Sequence, residues 1–182
     1  MDTKKNRELF FKKLQSIGID TEKLEKEYGT LIENATFTNT SEKNLAYNGS
    51  LLNVILYKLT PYAIRLNELL PEEKRAEKNS LIKVCLLHHI AKSVRFIIND
   101  NEWEVKNRKM LYKYNPENPS IKGGMHSYMI CTQCGITFTE DETEAMIIND
   151  RDPSDDQARW FSSKLATIVR MANELTYIEN ND

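Results

Sequence analysis

The amino-acid sequence predicts an all-α protein, a helical bundle with a small β-hairpin or flap after its central helix. In most long segments apolar residues recur three and four positions apart, the period of a helix with one buried side. After Asp100 the pattern changes, and aromatic residues alternate partly with charged ones before the prolines at 116 and 119. This change favours a short hairpin or ordered flap over a helix. A chain of 182 residues can bury a sizeable core.

The composition is that of an ordinary globular protein. Charged residues make up 29% of the chain, hydrophobic residues make up 40%, and the net charge is −2. This balance gives no strong signal for nucleic acid or for an anionic membrane surface. No apolar run approaches the roughly 20 residues that a membrane span requires, and the lysine-rich start lacks the apolar core of a signal peptide. We therefore expect a cytoplasmic protein with no membrane partner, and the oligomeric state stays open.

The first 43 residues are predicted to form an N-terminal helical cap and loop, and residues 44–182 to form the main helical domain. A first helix covers residues 2–17 and ends at Gly18, and a second covers residues 21–28 and ends at Gly29. Residues 30–43 are rich in Thr, Asn and Ser without a period, which indicates a loop. Two interpretations remain open, namely a cap on the main body and an arm that binds a partner.

Residues 49–70 follow helical spacing, but Pro61 interrupts them. A proline inside a helix costs about 3 kcal/mol because it removes a backbone hydrogen bond and crowds the preceding turn. We therefore expect a kink or break near Thr60. The next helix, the central one, is predicted over residues 80–99, with Asn79 or Ser80 as its N-cap.

The central segment carries polar groups in register beside a buried side. One apolar stripe predicts the buried side, and a neighbouring stripe brings nitrogen-bearing side chains into line. The first stripe consists of Val84, Leu87, Ala91, Val94 and Ile98, and the second of Leu81, Cys85, His88, Lys92 and Arg95. Burial alone does not account for three such groups on one side of a helix.

The C-terminal third is predicted to be helical. A pair of glycines at 123 and 124 leads into a helix over residues 125–133, and residues 139–142 form a capping box for a short helix that ends by Asn149. The last helix is predicted over residues 156–178. The acidic run over residues 140–156 does not have the spacing of a calcium loop and is interpreted as a solvated turn.

Three cysteines are too few for a disulfide scaffold and are expected to be reduced thiols. Cys131 and Cys134 have the CxxC spacing of zinc and redox sites, and His126 lies five residues before them. A structural zinc site needs a second pair of ligands, and none is present in the sequence. Core packing is the favoured interpretation, and a metal or redox role stays open.

Three stretches resemble one known family. Residues 86–92, LLHHIAK, resemble the LLHDIGK segment of HD-domain metal-dependent phosphohydrolases, in which adjacent His and Asp bind a divalent metal. Residues 49–54 are similar to the GGLLEH stretch that carries the first metal histidine of that family, and residues 171–175 to the H-A-D-x-L stretch that carries its last metal aspartate. The resemblance covers roughly residues 46–177 and implies an HD-domain-like helical bundle.

The same resemblance places the metal-ligand positions at Val54, His88, His89 and Asn173, of which only His88 keeps the family's residue. Val54 has no lone pair, and the neutral amide of Asn173 binds a dication less strongly than a carboxylate. We therefore expect no cofactor. If a divalent metal (Mn, Fe, Zn, Ni or Mg) is bound, His88 and His89 would hold it, with help from His126 or Asp150.

The leading hypothesis is a degenerate HD-domain protein that binds a small phosphorylated, nucleotide-like ligand, or a protein partner, without catalysis. Its candidate ligand-binding residues are His88, His89, Lys92, Arg95 and Asn173. Lys92 and Arg95 either hold phosphate oxygens or pair with nearby acids. The remaining basic residues of the stretch, Lys106, Arg108, Lys109 and Lys113, are interpreted as solvated surface.

Two alternatives remain. The first is an atypical metal-dependent phosphohydrolase or phosphodiesterase, in which metal-bound water would attack a phosphorus atom. The second is an interaction or inhibitor protein that acts through its N-terminal helices. The sequence assigns no catalytic residue with either alternative.

Overall fold

The computed structural model describes residues 2–39, 45–150 and 162–178. Within them the chain is mostly helical, with one two-stranded antiparallel sheet, and the predicted all-α fold with a small hairpin is confirmed. The helices are α1 (Thr3–Ser16), α2 (Glu22–Asn34), α3 (Ser50–Val54), α4 (Thr60–Glu68), α5 (Lys78–Leu87), α6 (Lys92–Arg95), α7 (Glu102–Arg108), α8 (Gly123–Gln133), α9 (Glu140–Ile147) and α10 (Lys164–Ile178). The strands are β1 (Phe96–Ile98) and β2 (Tyr112–Tyr114).

One continuous hydrophobic core runs through the described residues, and α5 crosses it. Each fully buried leucine contributes about 1.5–3 kcal/mol relative to an exposed one. The core includes Phe10 and Leu14 of α1 and Leu24 of α2, all fully buried, so the N-terminal helices pack into the same core as α5. The predicted domain boundary between residues 43 and 44 lies outside the described residues.

Helix α1 begins and ends as its sequence predicts. The Asp2 carboxylate accepts a hydrogen bond from the Lys5 amide at 3.0 Å, which satisfies one of the free amides of the first turn. Gly18 follows the helix with φ +83°, and the amide of Ile19 reaches back to the Leu14 carbonyl. A left-handed residue at this position closes a helix, and glycine adopts it without strain.

The predicted end of the second helix at Gly29 is wrong. The helix continues to Asn34, so the predicted loop begins only at Ala35. Gly29 faces Arg7 of α1, and a Cβ at Gly29 would lie 2.8 Å from Nη2 of that arginine. The guanidinium crosses there to pair with Glu25 and Glu33 of α2, at 3.4 and 3.5 Å. The glycine therefore makes room for a side chain and does not end the helix.

Near Thr60, where the sequence predicts a kink or break, the helical backbone is continuous but changes its hydrogen-bond pattern. A π-helical turn, Ile55–Leu59, separates α3 from α4. Pro61 lies in the first turn of α4, where a missing amide hydrogen costs no intrahelical bond.

The central helix is shorter than predicted. Glu77 is the N-cap of α5 in place of Asn79 or Ser80, because its carboxylate accepts hydrogen bonds from the amides of both residues. The helix ends at Leu87 and is followed by a turn over residues 88–91 before α6. The Oγ atom of Ser127 in α8 accepts a hydrogen bond from the Ala91 amide at 3.0 Å, which gives that amide a partner outside the helix.

The flap combines two strands and a helix. Residues 96–98, predicted to end the central helix, form β1 and pair with β2 in the register Phe96 to Tyr114. Residues 102–108, predicted as part of a hairpin, form α7, with Asn101 as N-cap. Phe96 and the isoleucines after it favour a strand, which explains why the sheet begins before Asp100.

The last helices surround α5. Thr139 and Glu142 form the predicted capping box of α9, which ends at Ile147 and continues as a 3-10 turn, Ile148–Asp150. Helix α10 begins at Lys164, and the predicted helical residues 156–161 lie outside the described part of the chain. Over the described ranges, no helix combines the length and apolar character needed to cross a membrane.

Candidate ligand-binding site

All five residues predicted to bind a ligand line one pocket of about 360 Å³, which we call the His88 pocket. Its walls come from the turn over residues 88–91, from α6, from the start of α8, from the 3-10 turn Ile148–Asp150 and from α10. The predicted residues among its lining are His88, His89, Lys92, Arg95 and Asn173. Asp150, the predicted accessory ligand, also lines the pocket, whereas Val54 is fully buried in the hydrophobic core.

His88 lines this pocket, and one of its ring nitrogens is buried without a partner in the described part of the chain. Its Nδ1 lies 3.1 Å from the Val84 carbonyl, and because a carbonyl can only accept, Nδ1 donates and Nε2 carries the lone pair. The side chain is buried, and Nε2 has no hydrogen-bond partner among the described residues. Burial lowers the pKa of His88 to about 4, so the imidazole is neutral at pH 7. The site therefore contains a buried hydrogen-bond acceptor.

His89 is held in place by neighbours on three sides. Its Nε2 lies 2.8 Å from Oδ1 of Asn173, and its ring contacts Phe37 edge to face with centroids 5.1 Å apart. The ring of His88 lies 3.8 Å away, centroid to centroid. Burial, together with nearby His88 and Lys92, lowers the pKa of His89 well below its usual value. Both imidazoles are therefore uncharged at neutral pH.

Lys92 lies on the wall of the pocket and is tied to its aromatic lining. Its ammonium donates to the Phe37 carbonyl at 2.8 Å and to the Tyr177 hydroxyl at 3.2 Å. The same nitrogen lies 3.5 Å from the centroid of the Phe37 ring, a cation–π contact. These contacts fix the position of one positive charge at the pocket.

Arg95 supplies the second positive charge. Its Nη2 donates to the Ile121 carbonyl at 2.8 Å. A Cβ at Gly123 would lie 3.1 Å from Nη1, so the absence of a side chain there lets the guanidinium lie against the start of α8. Arginine can bind phosphate through two parallel hydrogen bonds, which lysine cannot do.

The start of α8 is held by Asp150. The carboxylate of Asp150 accepts hydrogen bonds from the amides of Gly124 and Met125 at 2.9 and 2.7 Å, and it faces the positive end of the helix dipole. A Cβ at Gly124 would lie 2.3 Å from the Met146 carbonyl oxygen, so only glycine permits this close packing. The two glycines are visible in the sequence, where their pattern predicts only the start of a helix.

The described lining of the pocket contains two cations, Lys92 and Arg95, and one carboxylate, that of Asp150, which the α8 amides already engage. Cationic groups in a concave site attract anionic ligands. Further polar residues of the lining, which sequence reasoning missed, are Ser127, Asn149 and Tyr177.

The donors at the pocket do not fit the metal centre of the resembled family. His88 and His89 each offer one nitrogen lone pair, since Nε2 of His89 donates to Asn173 and its lone pair lies on Nδ1, and Val54 offers none. Across the described ranges, no group of three or more His, Cys, Asp and Glu side chains is arranged to hold a metal ion. The expectation that the protein binds no metal stays a prediction.

The CxxC cysteines lie in the last turn of α8 and just after it. Both are buried as free thiols, and Cys131 belongs to the hydrophobic core. Burial raises the pKa of each thiol, which keeps it protonated and unreactive at neutral pH. This environment accords with core packing and gives no support to a redox role.

The site is thus a neutral pair of buried imidazoles beside two anchored cations. Each of these groups comes from the turn after α5 or from α6, and Asn173 joins them from α10. Compared with models of known protein families, with curated proteins and with solved structures, the chain has no match.

Proposed function

We propose that this protein binds a small phosphorylated, nucleotide-like ligand in the His88 pocket and does not hydrolyse it. The observation that carries the proposal is the buried Nε2 of His88, which lacks a hydrogen-bond partner in the described residues and shares a pocket with Lys92 and Arg95. Buried polar atoms in folded proteins nearly always have a partner. A ligand that brings a donor to His88 would provide one.

The chemistry of the lining defines the ligand. Arg95 and Lys92 would hold the oxygens of a phosphate, and neutral His88 would accept a hydrogen bond from a hydroxyl or N–H group. A phosphate on a sugar or nucleoside brings both features within one small molecule. The pocket volume of about 360 Å³ suits a ligand of that size.

Binding is favoured over hydrolysis because metal-assisted hydrolysis needs several ligands that converge on one ion. The described lining offers one imidazole lone pair each at His88 and His89, its carboxylate at Asp150 is engaged by the α8 amides, and the Asn173 amide is engaged by His89. Ligand binding is also favoured over action through the N-terminal helices. The apolar side chains Phe10 and Leu24 of those helices are buried in the core and are not exposed to a partner.

Isothermal titration calorimetry with inorganic phosphate, ribose 5-phosphate and nucleoside monophosphates tests the proposal. We expect binding of at least one of them, weakened about tenfold or more by Arg95→Ala, because a charged hydrogen bond contributes about 1.5–3 kcal/mol. Arg75→Ala is the matched control, since Arg75 also donates to backbone carbonyls but lies away from the His88 pocket. No binding of any of these ligands at millimolar concentration would refute the proposal.

Elemental analysis and a phosphodiesterase assay address the hydrolytic alternative. Protein purified without chelator is expected to carry no stoichiometric divalent metal. A bound metal together with phosphodiesterase activity that His88→Ala abolishes would favour the hydrolase.

A further inference from the structure

A second pocket adjoins the first across Arg95. It has a volume of about 380 Å³, and we call it the loop pocket because residues 115–122 form most of it. Arg95 lines both pockets. Lys122, which lines the loop pocket, donates from Nζ to the carbonyl oxygen of Asp150, a residue of the His88 pocket, at 2.7 Å. Two cationic side chains therefore lie where the pockets meet.

The loop that forms this second pocket is fastened to α6. The amide of Asn115 donates to the Arg95 carbonyl at 2.8 Å, and its side-chain amide donates to the Val94 carbonyl at 3.1 Å. The Ile121 carbonyl accepts from the Arg95 guanidinium. Both ends of the loop are thus bonded to the helix that supplies the phosphate-binding cation, so the loop pocket exists before any ligand enters.

An aromatic ring and short polar side chains line the loop pocket. Tyr114 contacts Phe96 with ring centroids 5.2 Å apart, and 63% of Tyr114 is exposed. Half-buried Asn118 and exposed Ser120 lie beside it, and they offer hydrogen-bond donors and acceptors. Aromatic rings bind nucleobases by stacking, and amide and hydroxyl groups pair with the polar edge of a base.

We propose that the loop pocket receives the base of a nucleotide whose phosphate lies against Arg95 in the His88 pocket. The inference rests on the proposed function and adds the base as the part of the ligand that determines specificity. A sugar phosphate alone would fill only the first pocket. The base would stack on Tyr114 in the loop pocket, while Arg95, which lines both pockets, faces the phosphate in the His88 pocket.

Titration of the full chain with ribose 5-phosphate and with nucleoside monophosphates separates the two pockets. We expect at least one nucleotide to bind about tenfold more tightly than ribose 5-phosphate, the gain expected from stacking one base. Tyr114→Ala should remove that gain and leave ribose 5-phosphate binding unchanged, whereas Tyr114→Phe should keep it. Trp103→Ala is the matched control, because Trp103 is an exposed aromatic residue of the same flap outside the loop pocket.

Each outcome decides the inference. Equal affinity for ribose 5-phosphate and all nucleotides would overturn the inference and leave the proposed function standing. An equal loss of affinity for ribose 5-phosphate and for the nucleotide in Tyr114→Ala would have the same meaning. No binding of any phosphorylated ligand would overturn both. Should Tyr114→Ala fail to fold, as judged by circular dichroism, Asn118→Ala replaces it, and an unchanged ranking of the bases in that variant would count against the inference.

Discussion

The Nε2 atom of His89 lies 2.8 Å from the amide oxygen of Asn173, although 84 positions separate the two residues in the chain. Because the amide oxygen accepts, the imidazole donates its N–H group. This hydrogen bond joins the turn after α5 to α10 inside the His88 pocket. The two residues occupy positions that, by resemblance, would hold a metal, and here they bind each other.

Removal of the Asn173 side chain is expected to destabilise the fold. In Asn173→Ala the buried N–H group of His89 loses its acceptor, which costs about 1–3 kcal/mol of the free energy of unfolding. Urea denaturation measures the change. Glu174→Ala on the exposed side of α10 is the control and should change the free energy by less than about 0.5 kcal/mol. An unchanged midpoint for Asn173→Ala would show that the hydrogen bond contributes nothing.

Acid is expected to destabilise the protein through His88. Its pKa is about 4 in the folded protein against 6.5 when exposed, so between these pH values the unfolded chain binds the proton and the folded one does not. The contribution of neutral His88 to the free energy of unfolding is therefore fully present above pH 6.5. It is lost as the pH falls toward 4. For His88 alone the loss between pH 7 and pH 5 is about 2 kcal/mol. Urea midpoints at the two pH values test this, and His88→Leu should show a shallower dependence.

The buried ion pair between Lys83 and Glu142 is expected to be sensitive to loss of one partner. Lys83 Nζ lies 2.7 Å from Oε2 of Glu142 and also donates to the Thr137 carbonyl. Lys83→Met leaves a buried carboxylate without its counterion, which costs about 3–5 kcal/mol. Lys23→Met, at an exposed pair with Glu27, is the control and should cost less than about 1 kcal/mol.

The pH dependence of the same variant gives a second test. Burial raises the pKa of Glu142, but hydrogen bonds from Lys83 and Thr139 outweigh it and hold the pKa below its usual value. Without Lys83 that pKa rises. The stability deficit of Lys83→Met should therefore shrink as pH falls toward 4, and a deficit that stayed constant would contradict this account.

The two glycines at the start of α8 are expected to behave differently. In Gly124→Ala the new Cβ meets the Met146 carbonyl, a backbone atom that cannot move without a shift of α9, and overpacking of this kind costs about 1–3 kcal/mol. In Gly123→Ala the nearest atom is Nη1 of Arg95 at 3.1 Å, the end of a side chain that needs to shift by only a few tenths of an ångström, so the loss of unfolding free energy should be smaller. Thermal unfolding of both variants tests the difference, and equal losses would refute it.

Much of the site was predictable because helical spacing survives beyond the helix. Helix α5 ends at Leu87, yet His88, Lys92 and Arg95 still line one pocket. The turn over residues 88–91 keeps hydrogen bonds three residues apart, such as that from the Lys92 amide to the His89 carbonyl, and its rotation stays close to that of a helix. A periodic pattern therefore predicted that these side chains lie on one side of the chain, while it misplaced the end of the helix.

What the sequence could not predict depends on contacts between distant residues. Gly29 lies within α2, where the absence of a side chain makes room for Arg7 of α1. Just after α5, the Ala91 amide donates to Ser127 of α8 instead of continuing the helix. Asp150 caps α8 from 26 positions away. No local pattern records such partners, so these features appear only when the whole chain is folded.

The bond from Arg95 to the Ile121 carbonyl has a thermodynamic consequence. A free arginine carries about 2 kcal/mol of rotamer entropy, which a ligand ordinarily has to overcome when it orders the side chain. Here the fold has already removed part of that freedom. An anion that reaches this guanidinium therefore meets a smaller entropic penalty, and the calorimetric signature of its capture should be dominated by enthalpy.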